Sequence, residues 1–468
     1  MRILALDQGT TSTRLLAADG AGLCVLGQLR HQTTYPAPGW VEQNPVEILS
    51  NCQSLLAMAG AADAIALANQ GESCLAWDAV TGAPLSRIIV WQDGRTLADL
   101  SRMAELADEV TARSGLPLDP YFSAAKLGWL LRERPEVAAA HRAGRLRLGT
   151  TDAFLLDQIS GTFATDRATA SRTGLMNLVS GEWDATLCEM FGVPMECLPE
   201  IRGNLAGFGQ VGGIPIAASI VDQQAALYGH GCRKRGDAKI TFGTGAFALA
   251  VTGPTPPAPG GGLLPTVAWD LGEGMVYALD GGVQDAGSAV EWALKAGLAT
   301  NINDFDNFDD PPAVARRLIF LPSFSGLGAP YWDRSSAPVL IGLSPNMTRR
   351  DMCQALIEGI AFLTADLVSE IAKAAPLAGP ISVDGGLSRS VYFTTFLAQV
   401  CQREIAVSSF GELTAFGAAQ LGALALGATL PQPEGLPRIL RPGPTAPDWH
   451  SHFQEALARS RGWRTCPA

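Results

Sequence analysis

The chain has 468 residues, 47% of them apolar and 17% charged, with 34 Lys and Arg against 45 Asp and Glu and a formal net charge of −11. That apolar content supplies packed cores and excludes a disordered or fibrous chain, and the length predicts two or three domains at about 100–200 residues each. The acidic balance excludes nucleic acid as the main partner, because binding a phosphate backbone needs a basic footprint.

In chain order, residues 3–6 read as a strand, Gln8-Gly9-Thr10-Thr11 as a turn and residues 13–17 as a second strand; Asp19-Gly20 then turns the chain into a third at 23–29. A short strand at 65–68 runs into Asn69-Gln70-Gly71-Glu72-Ser73. Asp222-Gln223-Gln224 opens a helix, with Asp222 as its N-cap on spacing alone. Residues 238–242 read as a strand, Gly243-Thr244-Gly245 as a turn and 246–251 as another strand. The unit of strand, Gly/Thr loop and strand thus occurs twice, about half a chain apart, which places a domain boundary near Gly236 and gives domains 1–235 and 236–468. Thr348 with Asp351 makes a capping box, and Met352, Leu356, Ile360, Leu363, Leu367 and Ile371 form one helical stripe. A strand at 381–383 ends in Asp384-Gly385-Gly386. The uncharged stretch 413–430, rich in small residues and ended by Pro431, reads as a buried helix rather than a membrane span. The Pro/Gly-rich runs at 254–265 and 431–447 read as loops. Strands mixed with helices give an α/β class.

Asp7 interrupts the first apolar run too early for a signal peptide, so the expected location is cytoplasmic. The nine cysteines form no Cys-x-x-Cys pair and are spread evenly, as reduced thiols would be, and His450 and His452 beside the Pro-rich tail read as surface rather than as zinc ligands.

Several strings carry candidate chemistry. In Asp7-Gln8-Gly9-Thr10-Thr11, backbone N–H groups and hydroxyls of the turn suit phosphate oxygens, and Asp7 suits Mg²⁺; the same residues also make an ordinary hairpin. Gly243-Thr244-Gly245 suits a second phosphate clamp, because only backbone stands between turn and ligand. Asp384-Gly385-Gly386 lets a nucleotide lie against the backbone or makes a tight strand–helix turn. Asp222 is an N-cap or a general base for a substrate hydroxyl. Glu72 at a strand end could bind a polyol, with Trp91 and Tyr121 as aromatic walls or as core.

Taken together, the strings resemble the FGGY carbohydrate kinase family, most closely its glycerol kinase branch. The resemblance rests on Leu6-Asp7-Gln8-Gly9-Thr10-Thr11-Ser12, Tyr35-Pro36-Ala37-Pro38-Gly39-Trp40-Val41-Glu42, Ile89-Val90-Trp91-Gln92-Asp93 and Asp119-Pro120-Tyr121-Phe122-Ser123. It continues through Ala170-Ser171-Arg172-Thr173, Asp222-Gln223-Gln224-Ala225-Ala226-Leu227, Thr241-Phe242-Gly243-Thr244-Gly245, Phe324-Ser325-Gly326-Leu327-Gly328-Ala329-Pro330-Tyr331-Trp332-Asp333 and Asp384-Gly385-Gly386. It implies two actin-like, ribonuclease-H-like ATPase domains around a cleft, with substrate on the first and nucleotide on the second. The implied activity is ATP-dependent phosphorylation of a hydroxyl on a small polyol or sugar, with ATP and Mg²⁺. The alternatives are a kinase for erythritol, xylulose or ribulose, and a non-catalytic actin-like nucleotide-binding protein.

By the same resemblance, Asp222 is the catalytic base and, with Glu72, Trp91, Tyr121 and Gln223, part of the polyol site. Asp7 lies near the metal; Thr10, Thr11 and Arg14 form the first phosphate loop and Thr244 and Gly245 the second; Gly287, Gly385 and Gly386 contact the nucleotide. No membrane or nucleic-acid partner is implied, and a homodimer is compatible with the reading. Three departures stand out. Gly71 takes the place of an Arg that glycerol kinases carry before the Glu, which removes a charged clamp. Leu387-Ser388-Arg389-Ser390 replaces an Asn-containing turn, with Ser390 as a substitute. Gly209-Gln210-Val211-Gly212-Gly213-Ile214-Pro215 has neither Lys nor Arg where bacterial glycerol kinases carry a cationic effector loop, so control by fructose 1,6-bisphosphate is not expected there.

Overall fold

The continuous apolar runs fold as strands covered by helices on both faces, as parallel sheets require. The computed structural model describes residues 1–20, 22–308, 311–432, 435–446 and 448–464. β1 (Arg2–Gln8), β2 (Ser12–Asp19) and β3 (Gly22–Arg30) form the expected antiparallel meander. β4 (Ala64–Asn69) pairs parallel with β1; β5 (Gln210–Val211) and β6 (Ile214–Val221) make a hairpin whose second strand pairs parallel with β4. The sheet order is β5-β6-β4-β1-β2-β3. On one face α1 (Pro45–Met58) and α2 (Thr151–Ser160) pack Ile48, Leu55 and Phe154 against Leu4, Leu6, Leu15 and Leu67. The chain leaves β6 directly into α3 (Asp222–Gly229).

The second sheet repeats the design. β7 (Ala238–Phe242), β8 (Ala246–Gly253), β9 (Leu264–Asp270), β10 (Met275–Val283), β11 (Ile381–Gly385), β12 (Ile405–Val407) and β13 (Arg438–Leu440) lie in the order β9-β10-β8-β7-β11-β12-β13. β7 pairs antiparallel with β8 and parallel with β11, as β1 does with β2 and β4. In both sheets the first strand is central and its carboxyl end sits where strand order reverses. Two of the crossover helices are α4 (Gly287–Lys295) and α5 (Arg349–Ala374). The capping box at the start of α5 is present, with the Thr348 N–H donating to Asp351 Oδ2 at 2.6 Å. α6 (Val391–Cys401) connects β11 to β12.

The stretch 431–447, expected as loop, carries β13, which pairs antiparallel with β12 at the sheet edge. A three-residue edge strand between prolines has almost no sequence signature. Residues 433, 434 and 447 of that stretch lie outside the described ones. Among the described residues no helix is long and apolar enough to cross a membrane. The buried helix expected at 413–430 is α7 (Leu413–Ala425), and the chain leaves it through Gly427 in the left-handed conformation.

Although it follows the second sheet's β12, α7 packs on the first sheet: Leu413, Phe416 and Leu421 share one core with Ile3, Ala66 and Ile220. There it crosses α3 in backbone contact. A Cβ on Gly417 would stand 1.9 Å from the Ala225 carbonyl oxygen, and one on Gly229 would stand 2.0 Å from that of Leu413. Gly417→Ala is therefore expected to push the helices apart and cost about 1–3 kcal/mol, the range for overpacking a tight interior. A thermal unfolding midpoint equal to wild type would show that the crossing relaxes freely.

Candidate active site

The carboxyl ends of the parallel strands converge. β1 ends at Asp7-Gln8, β4 leads into Gln70-Gly71-Glu72 and β6 into Asp222; β7 leads into Gly243-Thr244 and β11 ends at Asp384-Gly385. Such ends, at the reversal of strand order, are where open α/β sheets bind ligands. A cavity of about 140 Å³ opens between the two halves, lined by Thr10, Gly71, Glu72, Trp91, Tyr121, Asp222, Gln223, Thr241, Gly243, Thr244 and Phe247. At about 10–15 Å³ per water-sized group, it has room for a small polyol and phosphoryl oxygens.

The first half supplies an aromatic and acidic wall. Trp91 meets Tyr121 edge-to-face at 5.6 Å between ring centroids and Phe247, from the second half, at 5.9 Å. The Trp91 Nε1–H donates to Thr10 Oγ1 at 3.0 Å, and the Thr10 carbonyl accepts from His31 Nε2 at 2.8 Å and Gln43 Nε2 at 2.6 Å, so the first Gly/Thr loop is tied down from three sides. Glu72 adopts the left-handed conformation, with φ 56°, which is strained for a residue with a side chain. Its Oε1 accepts from Arg172 Nε at 2.6 Å, and Arg172 Nη2 reaches Asp280 Oδ2 on β10 at 2.9 Å, which links the two halves through a cation only 2% exposed. Burial raises the Glu72 carboxyl above its ordinary range against the pull of Arg172.

Asp222 is the first residue of α3, not its N-cap; Val221 holds that position, and Asp222 Oδ1 accepts from the Gln223 N–H at 2.7 Å. Burial, with the Asp7 and Glu72 carboxylates adding to it, pushes Asp222 up to about 8. Lys239 on β7 opposes the shift. The Lys239 ammonium donates to Gln223 Oε1 at 2.5 Å and to Thr241 Oγ1 at 3.1 Å. Asp7 is pushed up to about 6, again by burial, with Arg14 opposing and Glu412 adding to the rise.

Of the other expected nucleotide residues, Thr244 lines the cavity together with Gly243, whereas Thr11, Arg14, Gly245, Gly287, Gly385 and Gly386 are not among its lining. Thr11 is exposed beside Thr10. Arg14 bridges to Glu412, the residue before α7, at 2.7 Å. Gly243 and Thr244 form an exposed tip, with Gly245 buried behind them. The Gly287 N–H donates to the Gly243 carbonyl at 3.0 Å, and a Cβ on Gly287 would stand 2.4 Å from that oxygen. Gly385, at φ 92°, passes so close to Phe242 that a Cβ would lie 2.2 Å from its carbonyl oxygen; the Gly386 N–H donates to the same oxygen at 2.9 Å. Ser390 is occupied: its hydroxyl caps α6 by accepting from the Phe393 N–H at 3.0 Å. At position 71 the missing side chain does not leave an open hole, because Val221 Cγ2 lies 3.0 Å from where a Cβ would stand.

Models of the FGGY family of carbohydrate kinases match this chain twice, the N-terminal domain over residues 2–229 and the C-terminal domain over 238–426. The chain belongs to that family. A glycerol kinase of Alkalilimnicola ehrlichii is 38% identical over 98% of both chains, and one of Methylobacterium nodulans is 38% identical over 92% of this chain and 91% of its own. Among solved structures, Plasmodium falciparum glycerol kinase with ADP superposes with a TM-score of 0.87 at 28% identity over 98% of each chain. A xylulose kinase of Brucella ovis, at TM-score 0.84 and 24% identity over 98% of each chain, shares the fold. The FGGY kinase fold is thus two actin-like α/β halves around the cleft.

Four residues at the site escaped the sequence reading: Arg172, Lys239, Phe247 and Asp280. A lysine inside an otherwise apolar or Thr-bearing strand was the available signal for Lys239; Arg172 stands in the Ala170-Ser171-Arg172-Thr173 string but was given no role there, and Phe247 and Asp280 had no signal of their own.

The raised Asp222 carboxyl sets an expected pH response. If Asp222 takes a proton in the reaction it must first be deprotonated, so kcat/KM for the hydroxyl substrate should fall as pH drops below about 8, whereas an ordinary carboxylate would hold the rate flat down to about pH 5. Folding disfavours this charge, so its contribution to stability is full below the ordinary carboxylate range and lost as pH rises through about 8. Asp222→Asn should then raise the thermal midpoint at about pH 9 more than at about pH 5. Equal shifts at both would mean that Asp222 titrates like a solvated acid.

Proposed function

We propose that this chain transfers the terminal phosphoryl group of ATP to a hydroxyl of a small polyol, with glycerol the first substrate to test. The observation that carries the reading is Asp222: a half-buried carboxylate in a cleft lined also by Glu72 and Gln223 from the first half and by the Gly243-Thr244 tip from the second. Full-length relatives named glycerol kinase support the choice of substrate.

In this reading Glu72 accepts a hydrogen bond from one hydroxyl of the polyol, and Trp91, Tyr121 and Phe247 pack its carbon face and shed water. Asp222 accepts the proton of the attacking hydroxyl as its oxygen bonds to the γ-phosphorus and the bond to the leaving ADP oxygen breaks. Thr10 and Thr11 hold phosphate oxygens from the first half, and Thr244 and Gly245 hold them from the second. Gly287, Gly385 and Gly386 let the nucleotide approach backbone. Asp7, a buried carboxylate at the end of β1, would hold Mg²⁺ together with the phosphates, and the ion would supply charge neutralisation on the transferring group. The reading divides the chain into a substrate side, 1–235, and a nucleotide side, 236–468.

Asp222→Asn should lower kcat by about 10²–10⁴ and leave ADP affinity nearly unchanged; turnover close to wild type would remove Asp222 as the base. Gly71→Arg addresses the acceptor. It restores the cation found in glycerol kinases but must displace Val221, so the ratio of kcat/KM for glycerol to that for erythritol should rise. A ratio that does not move would mean the far end of the acceptor is bound elsewhere.

A further inference from the structure

We propose that Lys239 is a positioning residue for the transfer: its ammonium fixes the Gln223 amide with the carbonyl turned inward, so that the cleft offers the acceptor one N–H donor beside the Asp222 carboxylate. The proposal rests on the kinase reading above.

Lys239 is fully buried and does not line the cavity. Its nitrogen has three oxygen neighbours: Gln223 Oε1 at 2.5 Å, Thr241 Oγ1 at 3.1 Å and the Phe247 carbonyl at 3.5 Å. An ammonium has three N–H groups and no acceptor, so this set uses all of its donors. Three carboxylates, Asp384, Asp280 and Asp222, surround it and favour the charged form against the burial that lowers its affinity for the proton. A charged lysine can face only the oxygen of an amide. The polarity of Gln223 is therefore set from behind, and its Nε2 is left for the cavity that Gln223 lines.

The consequence is chemical. Glu72 and Asp222 present acceptors to the ligand, and Gln223 presents a donor. A hydroxyl both donates and accepts, so one that gives its proton to a carboxylate and takes the Gln223 N–H is held in one orientation, with a lone pair directed by the amide. An apolar residue at 239 would fill the space without holding the amide, whose two ends are nearly the same size, and the donor would be lost for part of the time. Lys239 does not line the cavity, so its effect on the acceptor is exerted through Gln223.

The test uses the full-length enzyme, with glycerol, propane-1,2-diol and propane-1,3-diol as acceptors. Lys239→Met should lower kcat/KM for glycerol by about 10–100-fold, compress the preference for glycerol over the two diols, and leave KM for ATP within about twofold. In a Gln223→Leu background the same change should have little further effect, because both substitutions remove one donor. An unchanged preference, or effects of the two substitutions that multiply in full, would overturn the proposal. If Lys239→Met does not fold, Gln223→Glu serves, since a carboxylate paired with Lys239 turns an oxygen to the cleft in place of N–H. Compressed preference then supports the role, and wild-type preference rejects it. Wild-type enzyme that releases no ADP with any polyol would sink the kinase reading itself, whereas an active enzyme indifferent to these changes would sink only the role of Lys239.

Discussion

The site depends on burying several carboxylates together. Asp7, Glu72, Asp222 and Asp280 come from four different segments, and burial raises the proton affinity of each. Moving an ion into a protein interior costs several kcal/mol unless countercharge and hydrogen bonds offset it. Arg172 and Lys239 supply that countercharge. Arg172 joins Glu72 to Asp280, and Lys239 sits among Asp222, Asp280 and Asp384. Both cations reach from one half of the chain to the other, Arg172 from the first to β10 and Lys239 from β7 to Gln223. Charge balance at the cleft and attachment of the halves are thus the same set of contacts, supplemented by the α3–α7 crossing and the Arg14–Glu412 bridge.

That arrangement explains how one carboxylate can serve as a base near neutral pH. Asp222 lies at the start of a helix, where the backbone dipole favours its charge, yet burial and two neighbouring carboxylates outweigh the dipole and the ammonium. A proton acceptor is most effective when its own pKa lies close to the working pH, and the balance of burial against countercharge moves Asp222 toward that range. Among the described residues Glu72 has a guanidinium in direct contact and Asp222 has none, which on the proposed reading suits one to hold and the other to accept a proton.

Local features were legible in the sequence because their causes are local. The Gly/Thr turns after β1 and β7 can be read from residue type, since a turn that approaches a ligand through backbone needs small residues, and the α5 capping box and stripe follow from helical spacing. The doubled strand order follows from finding the same unit twice. Contacts between distant segments were not legible. Arg172 pairs with residues 100 positions before it and more than that after it, and nothing beside it in the chain announces either partner. β13 was hidden by the prolines around it, and α7 gave no sign that it would return to the first sheet. Ser390, weighed as a substitute for the family's Asn, accepts from the Phe393 N–H and so caps its own helix, a contact that position in the chain alone did not announce.

The glycine at 71 changes character once its surroundings are known. Read alone, it deletes a cation from a substrate pocket. In the fold, Arg172 lies just behind Glu72 and keeps that carboxylate in place by binding one oxygen, while Val221 occupies part of the space that a longer residue 71 would need. Without an arginine at 71, the described pocket wall carries two carboxylates, the Gln223 amide and Thr and Tyr residues rather than a cationic fork. A fork would grip any oxygen-rich end of a ligand in two directions; carboxylates beside an amide suit instead hydroxyls, each able to give and take a proton. On the proposed reading, recognition in this cleft rests on the direction of hydrogen bonds, and that direction is set by charges buried behind the lining residues.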